Sequence, residues 1–391
     1  MNLNLAGQPS ISPPSGIPNK ISGLNTSLVD FLADRIRQQG PLPFDLFMEQ
    51  ALYHPGHGFY ASGDPRTGRE GDFLTPVSPG PVLGELLARQ ADELHQALGR
   101  PKKFRLVEQG ADTGNLAQDL LTAIHQHHPD LAKAAQLHLV EPHPRWAEKQ
   151  KQTLKVWEPN TRWHHSWESF PGDGIPCFFY SCELVDSFPV RIFRHRSGTW
   201  REQRVGLAPS GFRWQETEVS PDCLKAIRRG NPLEMEGFTV ELRPSDSTWV
   251  ESWAGKIGIG LIVTLDYGFS SEEQRIPSRA EGSLAALRGH QRSDNPLAHP
   301  GRQDLTAHVN FSELAELGTV RGFKNYGLTD FARGLTALAA PLFQPDTAKP
   351  DPWIRNFRHL THPTFFGHSH RILVQGKALP ASFFPSIVMK A

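Results

Sequence analysis

Two apolar segments that each end in an acid, 33 residues apart, constrain this chain more than any other feature. Phe104-Arg105-Leu106-Val107-Glu108 runs directly into Gln109-Gly110-Ala111-Asp112-Thr113-Gly114. A helical stretch follows (Leu116, Leu120, Leu121, Ile124), and Leu137-His138-Leu139-Val140-Glu141 then repeats the strand-and-acid pattern. Parallel neighbours need a long crossover, which the intervening helix supplies. Further along, Trp163 to Trp167 reads as a short third strand, Pro176 to Ser181 as a fourth and Gly260 to Gly268 as a fifth. Strands alternating with helices predict a doubly wound, Rossmann-like α/β sheet. About 70 residues between the fourth and fifth strands alternate polar and apolar positions (Val190–Phe193, Trp200–Val205, Phe212–Glu216), predicting an antiparallel β insertion over about 190–250.

Composition narrows the classes. Among 391 residues, 41 are Lys or Arg and 41 Asp or Glu. Binding to nucleic acid through bulk phosphate neutralisation leaves a basic excess, and none is present. Apolar runs such as Leu261–Val263 are far shorter than the ~20 residues of a membrane span. Three cysteines (Cys177, Cys182, Cys223) form no CxxC pair, which fits a reducing compartment. The expectation is a cytoplasmic protein, or one of the mitochondrial matrix if the host is eukaryotic.

Before the α/β region, residues 1–25 read as a loose tail and 26–99 as a helical and lid region. Ser27 with Asp30 opens one helix (Leu28, Leu32, Ile36), Phe44 to Leu52 forms a second, and Val82 to Leu98 a third. The long stretch Tyr53 to Gly80, rich in Gly, Pro and aromatics, reads as a lid.

In doubly wound sheets, ligands sit beyond the carboxyl ends of the strands. Glu108, Gly110, Asp112 and Gly114 occupy that place after the first strand, and Glu141 after the second, where a carboxylate can accept both hydroxyls of a ribose. The dinucleotide pattern G-x-G-x-x-G is absent. An acid followed by G-x-x-x-G suits S-adenosylmethionine. A nicotinamide or flavin nucleotide, and a strand end with a bare turn, remain open on these residues alone.

Several further segments stand in order over about 40–375: Pro43-Phe44 with Phe47-Met48, Ala51-Leu52-Tyr53-His54-Pro55, Gly58-Phe59-Tyr60, Gly71-Asp72-Phe73 with Thr75, Gly84-Glu85 and Val140-Glu141-Pro142. Glu183 with Asp186 and Pro189, Leu265-Asp266-Tyr267-Gly268, and Asp304-Leu305-Thr306-Ala307-His308-Val309 complete the set. In these the chain resembles the MidA family of class I methyltransferases, which includes the mitochondrial arginine methyltransferase that assists respiratory complex I assembly. The resemblance implies residues 100–391 as a methyltransferase domain, S-adenosylmethionine as cofactor, and a protein arginine as acceptor, with a respiratory-complex subunit as the partner it suggests. It adds Gly71, Asp72 and Phe73 to the cofactor side; an oligomer is compatible with it. The chain departs from the family at Asp112 (a third glycine in relatives), Cys182 (Asn) and Asn310 (Asp). A non-catalytic assembly factor with a drifted cofactor loop is the alternative.

A guanidinium acceptor calls for carboxylates, because paired acids hold its planar fork. Glu183 and Asp186 follow the fourth strand, and their spacing predicts one face of a helical turn. Asp186 could instead cap a helix or pair with Arg191. His308 is the third catalytic candidate. No metal site is expected: His368-x-His370 predicts two imidazoles on one face of a strand but lacks a third ligand. Cys182 has no assignable base, and Arg191, Arg194 and Arg196 read as a solvated hairpin face.

Overall fold

The computed structural model describes residues 27–62, 75–288, 291–343 and 349–388. The expected tail, 1–25, and the residues Gly71, Asp72 and Phe73 of the expected lid lie outside them.

Seven strands form the central sheet: β1 (Phe104–Gln109), β2 (Ala135–Val140), β3 (Thr161–His164), β4 (Cys177–Cys182), β5 (Gly260–Phe269), β6 (Lys324–Asp330) and β7 (His370–Lys377). Their order is β6-β7-β5-β4-β1-β2-β3, and a two-residue strand, Val309–Asn310, pairs in parallel with the end of β5. The run from β5 to β3 is parallel, whereas β7 enters antiparallel between β5 and β6. The order reverses between β1 and β4, which places a crevice at their carboxyl ends.

Helices cover both faces, so these strands are apolar throughout rather than alternating. Leu106, Phe178 and Leu261 join the helices Val82–Ala97, Asn115–His127 and Phe331–Ala339 in one core. Val107, Phe179 and Ile262 point the other way, into a core with Trp249, Trp253 and Phe311. Successive strand residues alternate between the two faces.

A second sheet joins Leu42–Pro43, Thr199–Ala208, Arg191–Arg196 and Thr239–Leu242 in that order, with Gly211–Glu218 also paired to Thr199–Ala208. The N-terminal segment and the insertion, separate in sequence, thus share a sheet and a core: Phe44, Phe47 and Leu52 pack with Val190, Ile192 and Val205. Arg191 belongs to this unit, pairing with the buried Glu202, so it is neither a partner of Asp186 nor a purely solvated residue. Asp304–Thr306 pairs with Ala285–Arg288 in a small third sheet, whose Leu305 enters the same core. This unit roofs the crevice.

Candidate active site

A cleft of about 1240 Å³ opens at the carboxyl ends of β1, β2 and β4. Gly110 (φ +77°), Asp112 (φ +46°) and Gly114 (φ +89°) turn the chain sharply after β1. A Cβ on Gly110 would stand 2.9 Å from Leu184 Cδ1, so glycine lets the first loop and the loop after β4 meet. Gly114 caps the helix Asn115–His127 without a side-chain bond, leaving the amides of its first turn beside the cleft that Thr113 and Asn115 line.

Glu108 is buried at the floor, where it accepts the Tyr180 hydroxyl at 2.9 Å. Burial pushes its carboxyl up to about 8 despite that bond, and the charges of Asp112 and Asp119 add to the rise. Glu141 accepts the His143 amide at 2.8 Å on one oxygen and the Gln150 side chain at 2.9 Å on the other. Each oxygen keeps a further lone-pair direction for a ribose hydroxyl. Burial raises Glu141 to about 7. Gln150 also donates to the carbonyl of Asp112 at 3.0 Å. A narrow glycine turn, free helix amides and a strand-end carboxylate fit the loop, amino-acid end and ribose of S-adenosylmethionine.

The segment after β4 is built differently from the helical turn expected. Glu183 sits at φ +49°, a left-handed conformation costly for a side-chain-bearing residue, and a short 3-10 turn, Val185–Ser187, follows. Asp266, fully buried at the end of β5, holds that turn by accepting the Val185 and Asp186 amides at 2.9 and 3.2 Å. Glu183 and Asp186 therefore both line the cleft through this tether rather than through helical spacing. His370 Nε2 lies 2.9 Å from Glu183 Oε1. His370 begins β7, so His368 lies outside the strand and the two imidazoles do not share a strand face. Asp186 accepts the Tyr267 hydroxyl on Oδ2, while its buried Oδ1 has no hydrogen-bond partner among the described residues. Burial raises Asp186 to about 6, countered by the Tyr267 bond and reinforced by Glu183.

His308 lines the same end, edge-on to Tyr267 with ring centroids 5.5 Å apart. Burial, with Arg279 and Arg243, lowers it to about 4, so it stays neutral. Cys182 also lines the cleft, but burial and four nearby carboxylates drive its thiol far upward, leaving no thiolate nucleophile. Asn310 caps the helix Phe311–Val320 by accepting the Ser312 and Glu313 amides, a task that asparagine performs as well as aspartate.

Sequence reasoning missed Asp304, Gln150 and the roles of two tyrosines. Tyr53 and Tyr60 stack at 5.4 Å, and their hydroxyls reach Ser187 and Asp304 respectively. The Tyr-His-Pro and Gly-Phe-Tyr segments carried the signal for the pair, but only the fold supplies the partners.

A Rossmann-like sheet with this crevice, a strand-end acid for a ribose and an acidic loop after β4 defines an S-adenosylmethionine-dependent methyltransferase. Residues 86–329 match the family model described as "Putative S-adenosyl-L-methionine-dependent methyltransferase". The chain belongs to this MidA-like family. It is 27% identical over 351 residues to the Drosophila melanogaster mitochondrial protein arginine methyltransferase NDUFAF7 homolog, covering 82% of this chain and 77% of that one. The Mus musculus protein arginine methyltransferase NDUFAF7, mitochondrial, is 29% identical over 318 residues, with 75% and 70% covered. A COG1565 superfamily member from Burkholderia thailandensis bound to S-adenosyl-homocysteine superposes with a TM-score of 0.78 at 25% identity, over 92% of this chain and 94% of its own. Among the described residues, no helix is long and apolar enough to cross a membrane.

Proposed function

We propose that this chain transfers the methyl group of S-adenosylmethionine to an arginine of a protein substrate. The observation that carries the reading is the acidic end of the cleft, where Asp186 keeps one carboxylate oxygen buried and without a donor beside Glu183. A guanidinium is planar, cationic and all donor, which suits such a pair. The names of the relatives point the same way.

The cofactor, when bound, would supply an electrophilic methyl on a sulfonium and leave as S-adenosylhomocysteine, and the acceptor nitrogen would give its proton to a carboxylate of the acidic end, Glu183 or Asp186. Glu108 lies beneath the cationic end, and Glu141 orients the ribose. Gly110, Asp112 and Gly114 shape the loop that holds the amino-acid end; Gly71, Asp72 and Phe73 join the cofactor residues by resemblance alone. Glu183 and Asp186 hold the guanidinium and bring one nitrogen in line with the methyl group. Neutral His308 adds no charge to compete with the acceptor.

The three thiols are free, with Cys177 and Cys182 buried, in keeping with a reducing compartment, cytoplasm or mitochondrial matrix. A respiratory-complex subunit is the first acceptor to test. Isotopically labelled cofactor, incubated with the protein in a lysate of its own host, should label arginine in a protein. Glu183→Gln should abolish the label while S-adenosylhomocysteine still gives heat in calorimetry. Label found only in lysine or nucleic acid would overturn the arginine reading. Cofactor binding without any labelled product would favour the assembly-factor alternative.

A further inference from the structure

Asp304 opens the short strand Asp304–Thr306 in the roof and is 7% exposed, yet it lines the cleft with Glu183 and Asp186. The two elements are tied directly, since the Ala307 amide donates to the Asp186 carbonyl at 2.9 Å. Asp304 Oδ1 accepts the Tyr60 hydroxyl at 3.1 Å and the Leu305 amide at 2.9 Å, while Oδ2 takes no donor among the described residues. Asp186 Oδ1, which is buried, likewise has no hydrogen-bond partner among the described residues.

The nearby tyrosine and arginine donors are already committed. Tyr60 gives its proton to Asp304, Tyr267 to Asp186, and the Tyr53 hydroxyl bonds Ser187. Arg243 spends its guanidinium on the carbonyls of Phe188, Ala307 and His308. Open carboxylate edges in a buried pocket are costly unless a cation meets them. An ammonium is a compact point charge, whereas a guanidinium presents donors along several edges of one plane and can serve carboxylates on two sides at once.

We infer that Asp304, held by Tyr60, is a specificity-determining residue that faces Asp186 across the acceptor position and selects a guanidinium over an alkylammonium. The inference rests on the methyltransferase reading above and deepens it. Burial raises the Asp304 carboxyl to about 7, with the charges of Asp186 and Glu183 adding to the rise, so a cation entering between them favours its ionised form.

The test needs no turnover. Two conjugates of S-adenosylhomocysteine, one carrying a tethered guanidinium at the sulfur position and one a tethered primary amine, are compared with the parent by calorimetry. Wild type should bind the guanidinium conjugate at least ten-fold more tightly than the amine conjugate. Asp304→Asn should lose roughly ten- to hundred-fold of that affinity, as a charged hydrogen bond warrants, with parent affinity unchanged. Tyr60→Phe should shift guanidinium binding the same way, by less. Equal binding of the two conjugates, or unaltered guanidinium binding in Asp304→Asn, overturns the inference while leaving the methyltransferase reading standing. Absence of binding even by the parent compound overturns both.

Discussion

Gln150 ties Glu141 to the first loop: its Nε2 lies 2.9 Å from Glu141 Oε2 and 3.0 Å from the Asp112 carbonyl, while its Oε1 accepts the Trp163 indole at 3.2 Å. One fully buried amide thus orients the carboxylate and pins the loop that carries a left-handed aspartate. Hydrogen bonds to charged groups contribute about 1.5–3 kcal/mol each. Gln150→Leu should weaken S-adenosylhomocysteine binding by roughly ten-fold or more and lower the melting temperature. Unchanged affinity in calorimetry would remove Gln150 from the site.

Tyr267→Phe strips Asp186 of its only side-chain donor among the described residues while preserving the ring that packs on His308 and His370. The Tyr267 bond holds the Asp186 carboxyl down, so its loss should raise that group further from about 6. Transfer should fall at least about ten-fold, the scale of one charge-assisted bond, and recover in part at higher pH. Cofactor affinity should not move. A variant with wild-type transfer would detach Tyr267 from the acceptor chemistry.

Gly110→Ala meets two obstacles, a φ of +77° and Leu184 Cδ1 at 2.9 Å. The backbone term alone costs about 1–2 kcal/mol. Adding Leu184→Ala should relieve the clash but not the backbone strain, restoring cofactor affinity only in part. Full rescue by the second substitution would show that sterics, not φ, demand this glycine.

Protons offer a separate check. The carboxyls of Glu108 (about 8), Glu141 (about 7), Asp246 (about 7) and Asp304 (about 7) all lie above their ordinary values, chiefly through burial. The folded state therefore holds protons that the unfolded chain has released. The stability they confer is complete below the unfolded values near 4 and lost as pH rises through 7 to 8. His138 (about 3) and His308 (about 4) act oppositely, but only below about 6.5. The melting temperature of cofactor-free protein should fall between pH 6.5 and 8.5, with a shallower slope in Glu108→Gln. Saturating S-adenosylmethionine, whose sulfonium favours ionised Glu108, should also flatten the curve. A midpoint that climbs across this interval would contradict the assignment.

The strands that carry the cofactor side were readable because burial on both faces leaves β1, β2, β4 and β5 as nearly unbroken apolar runs. Glu108, Glu141 and the Gly110–Gly114 turn follow from being attached to their ends. β6 gave no such signal: much of Lys324–Asp330 is only half-buried or exposed. Nor did local periodicity indicate that β7 would enter antiparallel. Gly268, one of the motif glycines, proves to be a packing position, where a Cβ would meet the Val309 carbonyl oxygen at 2.1 Å.

Sequence alone determined the Rossmann-like class and placed Glu108, Glu141, Glu183 and Asp186 at or just after strand ends, because each is adjacent along the chain to a strand end. Tertiary structure decided the acceptor end. Asp266 arrives from β5 to shape the turn, Asp304 from the roof, and Tyr60 from the N-terminal segment, 244 positions from its partner. Contacts between segments so far apart have no local period or spacing to announce them. They exist because the N-terminal segment and the insertion bury a common apolar core, and that core carries their polar groups to one end of the cleft.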